Sequence, residues 1–172
     1  MTRDRGFSLI ELLIVVAVLL IIAAIAIPNL VRARIAANES SAVSAIRTIM
    51  TAESAYNTSY PNIGYSPNLV SLGGSPPCTP SSTNACLIDS VLASGTKAGY
   101  SLNAVGGTPS ATGTLTTFSV GAAPFSPNVS GVRRFCGLSD NVIHYDLNPG
   151  LSSALPTAAD CGNPPFAVQV IQ

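Results

Sequence analysis

Residues 7–27 read FSLIELLIVVAVLLIIAAIAI, and this stretch decides the fold because only Ser8 and Glu11 carry polar side chains. As a helix, its 21 residues would be about 31 Å long, close to the roughly 30 Å hydrocarbon core of a bilayer. The sequence therefore predicts a transmembrane helix. An ionisable side chain costs about 2.5–3.5 kcal/mol at the bilayer centre and less near an end, so Glu11 is expected to have a partner.

Two simpler interpretations fit this stretch less well. A secretory signal peptide could end at Ala24-Ile25-Ala26, but its apolar region would exceed the usual length of about 7–15 residues and would contain Glu11. A plain membrane anchor accounts for the length but leaves Glu11 and the Gly6-Phe7 junction unexplained.

The basic residues on the two sides of the span do not fix its orientation. Arg3 and Arg5 precede the span, and Arg32 and Arg34 follow it, so the positive-inside count is tied. The short leader and the cysteines downstream predict a cytoplasmic N-terminus and an exported bulk of the chain.

The N-terminal residues resemble the prepilin-type N-terminus shared by type IV pilins and the pseudopilins of type II secretion. The residues that carry the resemblance, which extends over about residues 6–60, are Gly6, Phe7, Ser8-Leu9-Ile10-Glu11-Leu12, the aliphatic run and Ala26-Ile27-Pro28. It implies that a membrane peptidase cleaves after Gly6 and that the new N-terminal Phe7 is N-methylated. It also implies that Glu11 neutralises the terminal amine of a neighbouring subunit during assembly. An α-amine titrates near pH 8 and is mostly cationic at neutral pH.

One position departs from the family pattern. Leu20 stands where many pilins carry glycine, so the helix unwinding that the family shows between that glycine and the proline is not implied here. Pro28 removes one backbone hydrogen bond and clashes with the carbonyl of Ala24, which predicts a helix kink at this position.

Beyond Pro28 the helical pattern becomes amphipathic up to about Tyr56, and a sheet is expected to cover its apolar stripe. The apolar residues recur at spacings of three and four: Ala42, Val43, Ile46, Ile49, Met50 and Tyr56. Glu53 lies near the middle of this stripe. An edge position or local fraying is expected for it, and the alternative is a salt bridge to Arg133, Arg134 or another subunit.

Tyr60-Pro61 is expected to end the helix, and alternation predicts strands in the second half of the chain. A connection, 61–98, with one short helix from Leu87 to Ala93 precedes them. The predicted strands are Tyr100–Ala104, Thr116–Val120, Val132–Cys136, Val142–Leu147 and the segment of Phe166, Val168 and Val170. The fold class is therefore α+β, a long N-terminal helix packed against a small antiparallel sheet of three to five strands, as in pilins. The predicted organisation is a leader (1–6), a transmembrane and polymerisation helix (7–28), an amphipathic helix half (29–60) and a globular head (61–172).

Four cysteines, Cys78, Cys86, Cys136 and Cys161, all follow the membrane segment and allow three disulfide connectivities. Sequential pairing is expected, because Cys78 and Cys86 flank a loop without a bulky apolar anchor. On the loop-entropy model the two closures contribute roughly 2.6 and 3.5 kcal/mol. A zinc site is the alternative, but there is no C-x(2–4)-C spacing and His144 is the only histidine.

Composition argues against nucleic-acid binding and against an enzyme. The net charge is zero, only 9% of residues are charged and tryptophan is absent, so there is no basic stripe or stacking platform and no specific nucleic-acid site is expected. His144 is expected on an exposed strand face beside Asp146, without a nucleophile elbow. We therefore predict no catalytic residue, no cofactor and no metal.

A looser second resemblance is carried by several segments of the second half: Tyr56 to Tyr60-Pro61, Gly64-Tyr65, Leu69–Gly74, Phe118–Pro124, Gly131–Phe135 and Val142–Tyr145. In these segments the chain resembles the heads of pilin-like proteins related to the type II secretion major pseudopilin. Such heads can bind calcium, and the clustered oxygen ligands here are Asp140, Asn141, Asp146 and Asp160.

The resemblance implies a structural subunit of a type IV pilus, serving attachment, motility or uptake. Its implied partners are other copies, through the N-terminal helices, the prepilin peptidase and methylase, and the inner-membrane assembly machinery. The precursor would be inserted in the bacterial inner membrane and the product would be an extracellular pilus. Two alternatives remain: a periplasmic pseudopilin of a type II secretion system, and a membrane-anchored binding or enzymatic domain that never polymerises.

Overall fold

The computed structural model describes residues 8–146, 153–163, 166 and 170–171. The chain divides into two compact units, Met1–Arg34 and Ile35–Gln172, and one helix, α1 (Leu9–Ser59), contributes to both. It ends one residue before Tyr60-Pro61, where the sequence predicts the helix end.

In the first unit, α1 is a continuous α-helix through Leu20 and Pro28. Pro28 has no N–H to donate to the carbonyl of Ala24. The next carbonyl, that of Ile25, accepts a hydrogen bond of 3.1 Å from the Asn29 side-chain amide.

In the second unit, the described residues form a sheet of six antiparallel strands whose order in space follows their order in the chain. The strands are β1 (Thr96–Lys97), β2 (Tyr100–Gly106), β3 (Phe118–Pro124), β4 (Arg134–Leu138), β5 (Ile143–Asp146) and β6 (Val170–Ile171). Three to five strands were predicted. The additional strand is β1, whose two residues are too few to show alternation. Leu147 and Val168, which the sequence pattern places in strands, lie outside the described residues.

One face of the sheet packs against the second half of α1. The buried residues of α1 are Glu39, Ala42, Ala45, Ile46, Ile49, Met50, Ala52, Glu53 and Tyr56. They form one apolar core with Tyr100, Leu102 and Ala104 of β2 and with residues of β3, β4 and β5. The helix passes close to Gly137 of β4, where a Cβ atom would lie 2.7 Å from the Met50 sulfur. The α+β architecture is confirmed: a long N-terminal helix packs against an antiparallel sheet.

The opposite face of the sheet is also covered, by the C-terminal segment 153–163. All seven residues of β3 are buried, because this segment lies over its second face. A Cβ atom at Gly121 would approach the Pro156 carbonyl oxygen to 2.7 Å. Cys136, Cys161 and Phe166 form a second apolar cluster.

Three short helices complete the described structure, each with a side-chain N-cap. They are α2 (Leu69–Leu72), capped by Asn68; α3 (Ser90–Ala93), capped by Asp89; and α4 (Ala158–Gly162), which begins with a capping box between Thr157 and Asp160. The helix predicted from Leu87 to Ala93 is thus shorter, because the Asp89 carboxylate accepts from Leu92 N and sets its start.

Candidate functional site

The N-terminal end of α1 carries the first candidate site, around Glu11. Its carboxylate accepts a hydrogen bond of 3.3 Å from the backbone N–H of Ser8, three residues earlier. This is half of a capping box, in which an acidic side chain in the first turn satisfies an otherwise unpaired N–H. Glu11 therefore has a partner within its own chain, whereas the sequence suggested a partner only from another subunit. Gly6 and Phe7 lie outside the described residues.

The surface of α1 that follows Glu11 is almost entirely apolar and exposed. Every large apolar side chain from Leu9 to Val31 is between 46% and 80% exposed. By length and composition this helix is apolar enough to cross a membrane. So large a contiguous apolar surface marks an interaction with lipid or with other proteins.

Glu39, further along α1, joins the helix to the start of β4. Its carboxylate accepts from the backbone N–H groups of Val132 and Arg133 at 2.9 and 3.0 Å, and it pairs with the Arg133 guanidinium at 3.0 Å. Tyr100 donates its hydroxyl to the Arg133 carbonyl at 2.9 Å. Burial, and to a lesser extent Glu39, raises the pKa of Tyr100.

The edge position expected for Glu53 is wrong, and among the described residues no arginine pairs with it. It is completely buried. Its two carboxylate oxygens lie 2.8 Å from the Ser66 backbone nitrogen and 2.6 Å from the Ser66 hydroxyl. Burial raises the pKa of Glu53, and the two hydrogen bonds from Ser66 oppose this rise. The alternative, a salt bridge from Glu53 to Arg133 or Arg134, is not formed because Arg133 pairs with Glu39 and Arg134 pairs with Asp146.

His144 and Asp146 were expected on a solvated strand face, and this prediction was wrong. Asp146 is fully buried and pairs with Arg134, while His144 is half-buried. The Nδ1 atom of His144 is buried and has no hydrogen-bond partner among the residues that the structure describes. The physical reason is the C-terminal cover: Cys136 lies directly opposite His144 in the sheet and is bonded to Cys161 of α4.

The four candidate calcium ligands include three carboxylates that have other structural roles. Asp140 accepts from Val142 N, Asp160 takes part in the capping box with Thr157, and Asp146 pairs with Arg134. The bonds from Thr157 lower the pKa of Asp160. Within the described ranges, no group of three or more His, Cys, Asp or Glu side chains could hold a metal ion.

The cysteines pair as Cys78–Cys86 and Cys136–Cys161, with Cα–Cα distances of 6.1 and 5.7 Å. Cys78–Cys86 closes the loop after α2, and the Tyr56 hydroxyl donates to Ser82 within that loop at 2.6 Å. Cys136–Cys161 joins the outer face of β4 to α4.

Sequence reasoning missed Glu39 and Ser66. Glu39 stands in the same helical register as Ala42, Ile46 and Ile49, so its position on the buried stripe was a usable signal. Ser66 has no local signal, because its partner Glu53 lies 13 residues away.

Comparison with known proteins supports the N-terminal features. The family model for the prokaryotic N-terminal methylation motif matches residues 1–27. The type IV major pilin protein PilA of Myxococcus xanthus is 44% identical over 54 residues, which are 31% of this chain and 24% of that protein. The type IV wide pilus major component PilA4 of Thermus thermophilus is 40% identical over 76 residues, 42% of this chain and 56% of that protein.

The N-terminal part of the chain therefore carries the prepilin-type methylation motif. The names of the two relatives describe major structural components of type IV pili. The matches span about a quarter and about half of the length of these relatives. No solved structure matches the chain.

Proposed function

We propose that this protein is a structural subunit of a type IV pilus filament, assembled through the N-terminal half of α1 after cleavage behind Gly6. One observation carries the proposal: the methylation motif leads directly into a helix whose large apolar side chains are exposed along its first half. A helix that is apolar all round needs lipid or neighbouring helices to cover it. Lipid covers it in the precursor, and the helices of other copies cover it in the filament.

Glu11 favours an assembly in which neighbouring helices are staggered along the filament. Among the described residues of a single copy, the hydrogen bond that its carboxylate accepts is the long one of 3.3 Å from Ser8 N. The N-terminal amine of a neighbouring copy, at Phe7 after cleavage, is a cation and therefore a stronger partner in a low-dielectric surrounding. Helices that are staggered along the filament bring these two charges together.

Several finer points belong to the same proposal. A prepilin peptidase and methylase processes Gly6-Phe7, the precursor resides in the inner membrane with the assembly machinery, and the filament is extracellular. Pro28 bends the helix where the apolar segment ends. The head has no catalytic role. The names of both relatives favour a pilus over a periplasmic pseudopilus.

The test is complementation of the protein's own host after deletion of its gene. Wild type should restore filaments whose subunit begins at a methylated Phe7 by mass spectrometry. Gly6→Leu should leave an uncut membrane precursor.

Glu11→Gln and Glu11→Ala should be cut and inserted normally but lose most of the filament yield, whereas Ser8→Ala, which keeps the backbone N–H, should assemble. Normal filaments from Glu11→Ala would refute the role of this carboxylate. A wild-type protein that stays in the membrane without filaments would favour an anchored head domain instead.

A further inference from the structure

Three carboxylic side chains of the second unit are almost completely buried, and one of them differs from the other two. Glu39 is 7% exposed, and Glu53 and Asp146 are 0% exposed. Arginines pair with Glu39 and Asp146. In the part of the chain that the structure describes, Glu53 has no ion pair, and its hydrogen bonds come from Ser66 alone.

The Ser66 hydroxyl stands between two oxygen atoms. It lies 2.6 Å from Glu53 Oε1 and 3.2 Å from the backbone carbonyl of Asn68. A serine hydroxyl carries one proton, so it donates to one of these two atoms at a time. If Glu53 is ionised, the hydroxyl donates its proton to Oε1, and the Asn68 carbonyl does not receive a hydrogen bond from it. If Glu53 is protonated, the acid donates to Ser66 Oγ, and the hydroxyl donates onward to Asn68.

The neutral form makes better use of this geometry. A buried carboxylate without a cation bears a desolvation penalty that hydrogen bonds from one serine do not remove. The protonated acid avoids this penalty and completes an uninterrupted chain of hydrogen bonds. We propose that Glu53 is protonated in the folded protein at neutral pH, and that its proton completes a relay from Glu53 through Ser66 to Asn68 that latches residues 60–68 onto α1.

The surroundings of Glu53 contain tyrosines rather than cations. Tyr56, one turn further along α1, interacts electrostatically with Glu53 and with Tyr60, and both interactions add to burial in raising the pKa of Tyr56. Tyr65 precedes Ser66 and packs on Phe118 at 4.8 Å between ring centres. Among the described residues, no positive charge contributes to stabilising an ionised Glu53, so burial keeps its pKa above the ordinary value of 4.5.

The latched segment connects α1 to the sheet. Its Ile63 carbonyl accepts from Leu115 N at 2.8 Å, its Tyr65 N donates to the Leu115 carbonyl at 3.0 Å, and its Pro67 carbonyl accepts from Gly106 N at 3.4 Å. Ionisation of Glu53 at alkaline pH breaks the relay and creates a buried anion that must reach water. The segment is therefore a pH-sensitive latch that loosens as the pH rises.

The protonation state is tested by infrared spectroscopy of the full chain in detergent micelles. All proteins carry Glu11→Gln, which removes the carboxyl group of the apolar helix half from the spectrum. A carbonyl stretch from a protonated carboxyl group is expected at pH 7. It should vanish in Glu53→Gln and persist in Asp89→Asn, where an exposed carboxylate is replaced. Absence of the band at pH 7, or its survival in Glu53→Gln, would overturn the proposal.

The latch itself is tested by limited chymotrypsin digestion of the same proteins. Relative to Glu53→Gln at the same pH, cleavage after Tyr65 should rise about tenfold between pH 7 and pH 9 in the protein that keeps Glu53. The glutamine amide can donate to Ser66 as the neutral acid does, so this variant should fold. Equal cleavage of the two proteins at pH 9, or an unfolded Glu53→Gln, contradicts the latch.

Discussion

At the scale of single residues, the buried acids of the second unit act as acceptors that fasten distant backbone to α1 or to the sheet. Glu39 accepts hydrogen bonds from the backbone N–H groups of residues 132 and 133, more than 90 positions away, and Glu53 accepts one from the backbone N–H of Ser66. Removing such an acceptor lowers the free energy of unfolding more than removing the cation that pairs with it, because backbone N–H groups cannot move to find water.

Glu39 and Arg133 allow this difference to be measured. We expect Glu39→Ala to lower the free energy of unfolding by about 2–4 kcal/mol, since two backbone N–H groups and a guanidinium lose their acceptor. Arg133→Ala should cost about 1 kcal/mol or less, because its side chain is 43% exposed and the Glu39 bonds to the backbone remain. Denaturant unfolding of the detergent-solubilised chain, followed by circular dichroism, measures both, and equal losses would argue against the acceptor role.

Glu53 makes the free energy of unfolding depend on pH, and the sign of this dependence follows from its raised pKa. Folding favours the protonated form, so the contribution of Glu53 to stability is complete below its ordinary pKa of 4.5 and is lost as the pH rises through its folded-state pKa. We expect the free energy of unfolding of wild type, relative to Glu53→Gln, to fall steadily over that window. Unfolding curves of both proteins at a series of pH values give this difference, and a difference that grows with pH contradicts it.

At the scale of elements, Cys136–Cys161 fastens α4 across the outer face of the sheet. We expect replacement of both cysteines by serine to lower stability by roughly 3.5 kcal/mol on the loop-entropy model, and to expose segment 153–163 to proteases before the core opens. The matched control is the Cys78→Ser and Cys86→Ser pair, which should cost roughly 2.6 kcal/mol and expose only its own loop. Non-reducing peptide mapping checks the pairing first, and free thiols or crossed pairs would invalidate both expectations.

The elements that sequence predicted best are those with a long periodic signal. The apolar run and the stripe from Ala42 to Tyr56 predict α1, and alternation predicts that Tyr100, Leu102 and Ala104 of β2 are buried. Alternation failed for β3 and for Asp146, because it assumes that one sheet face meets solvent. The C-terminal segment covers that face, and nothing in the local sequence of a strand reports what packs on it from a distant part of the chain.

At the scale of the whole molecule, the two units differ in the surface that they expose. The buried residues of α1 begin at Glu39, whereas its large apolar residues up to Val31 are exposed. We expect a chain that starts at Asn29 to fold as a soluble monomer, because the stripe under the sheet is retained and the apolar surface is largely removed. Size-exclusion chromatography and circular dichroism test this. Aggregation or loss of the folded spectrum would show that the second unit depends on the first.

The strand order has a consequence for how the second unit folds. Each strand pairs with the strand that precedes it in the chain, from β1 to β6. Such a meander has pairings of low sequence separation, a topology associated with faster folding. In the proposed export, the N-terminus stays on the cytoplasmic side and the residues next to α1 emerge first, so each strand can be added to an edge that already exists, with α1 as the template. The segment that carries Cys161 follows β1 to β5, so the Cys136–Cys161 bond can form once these five strands are in place and before β6 is added.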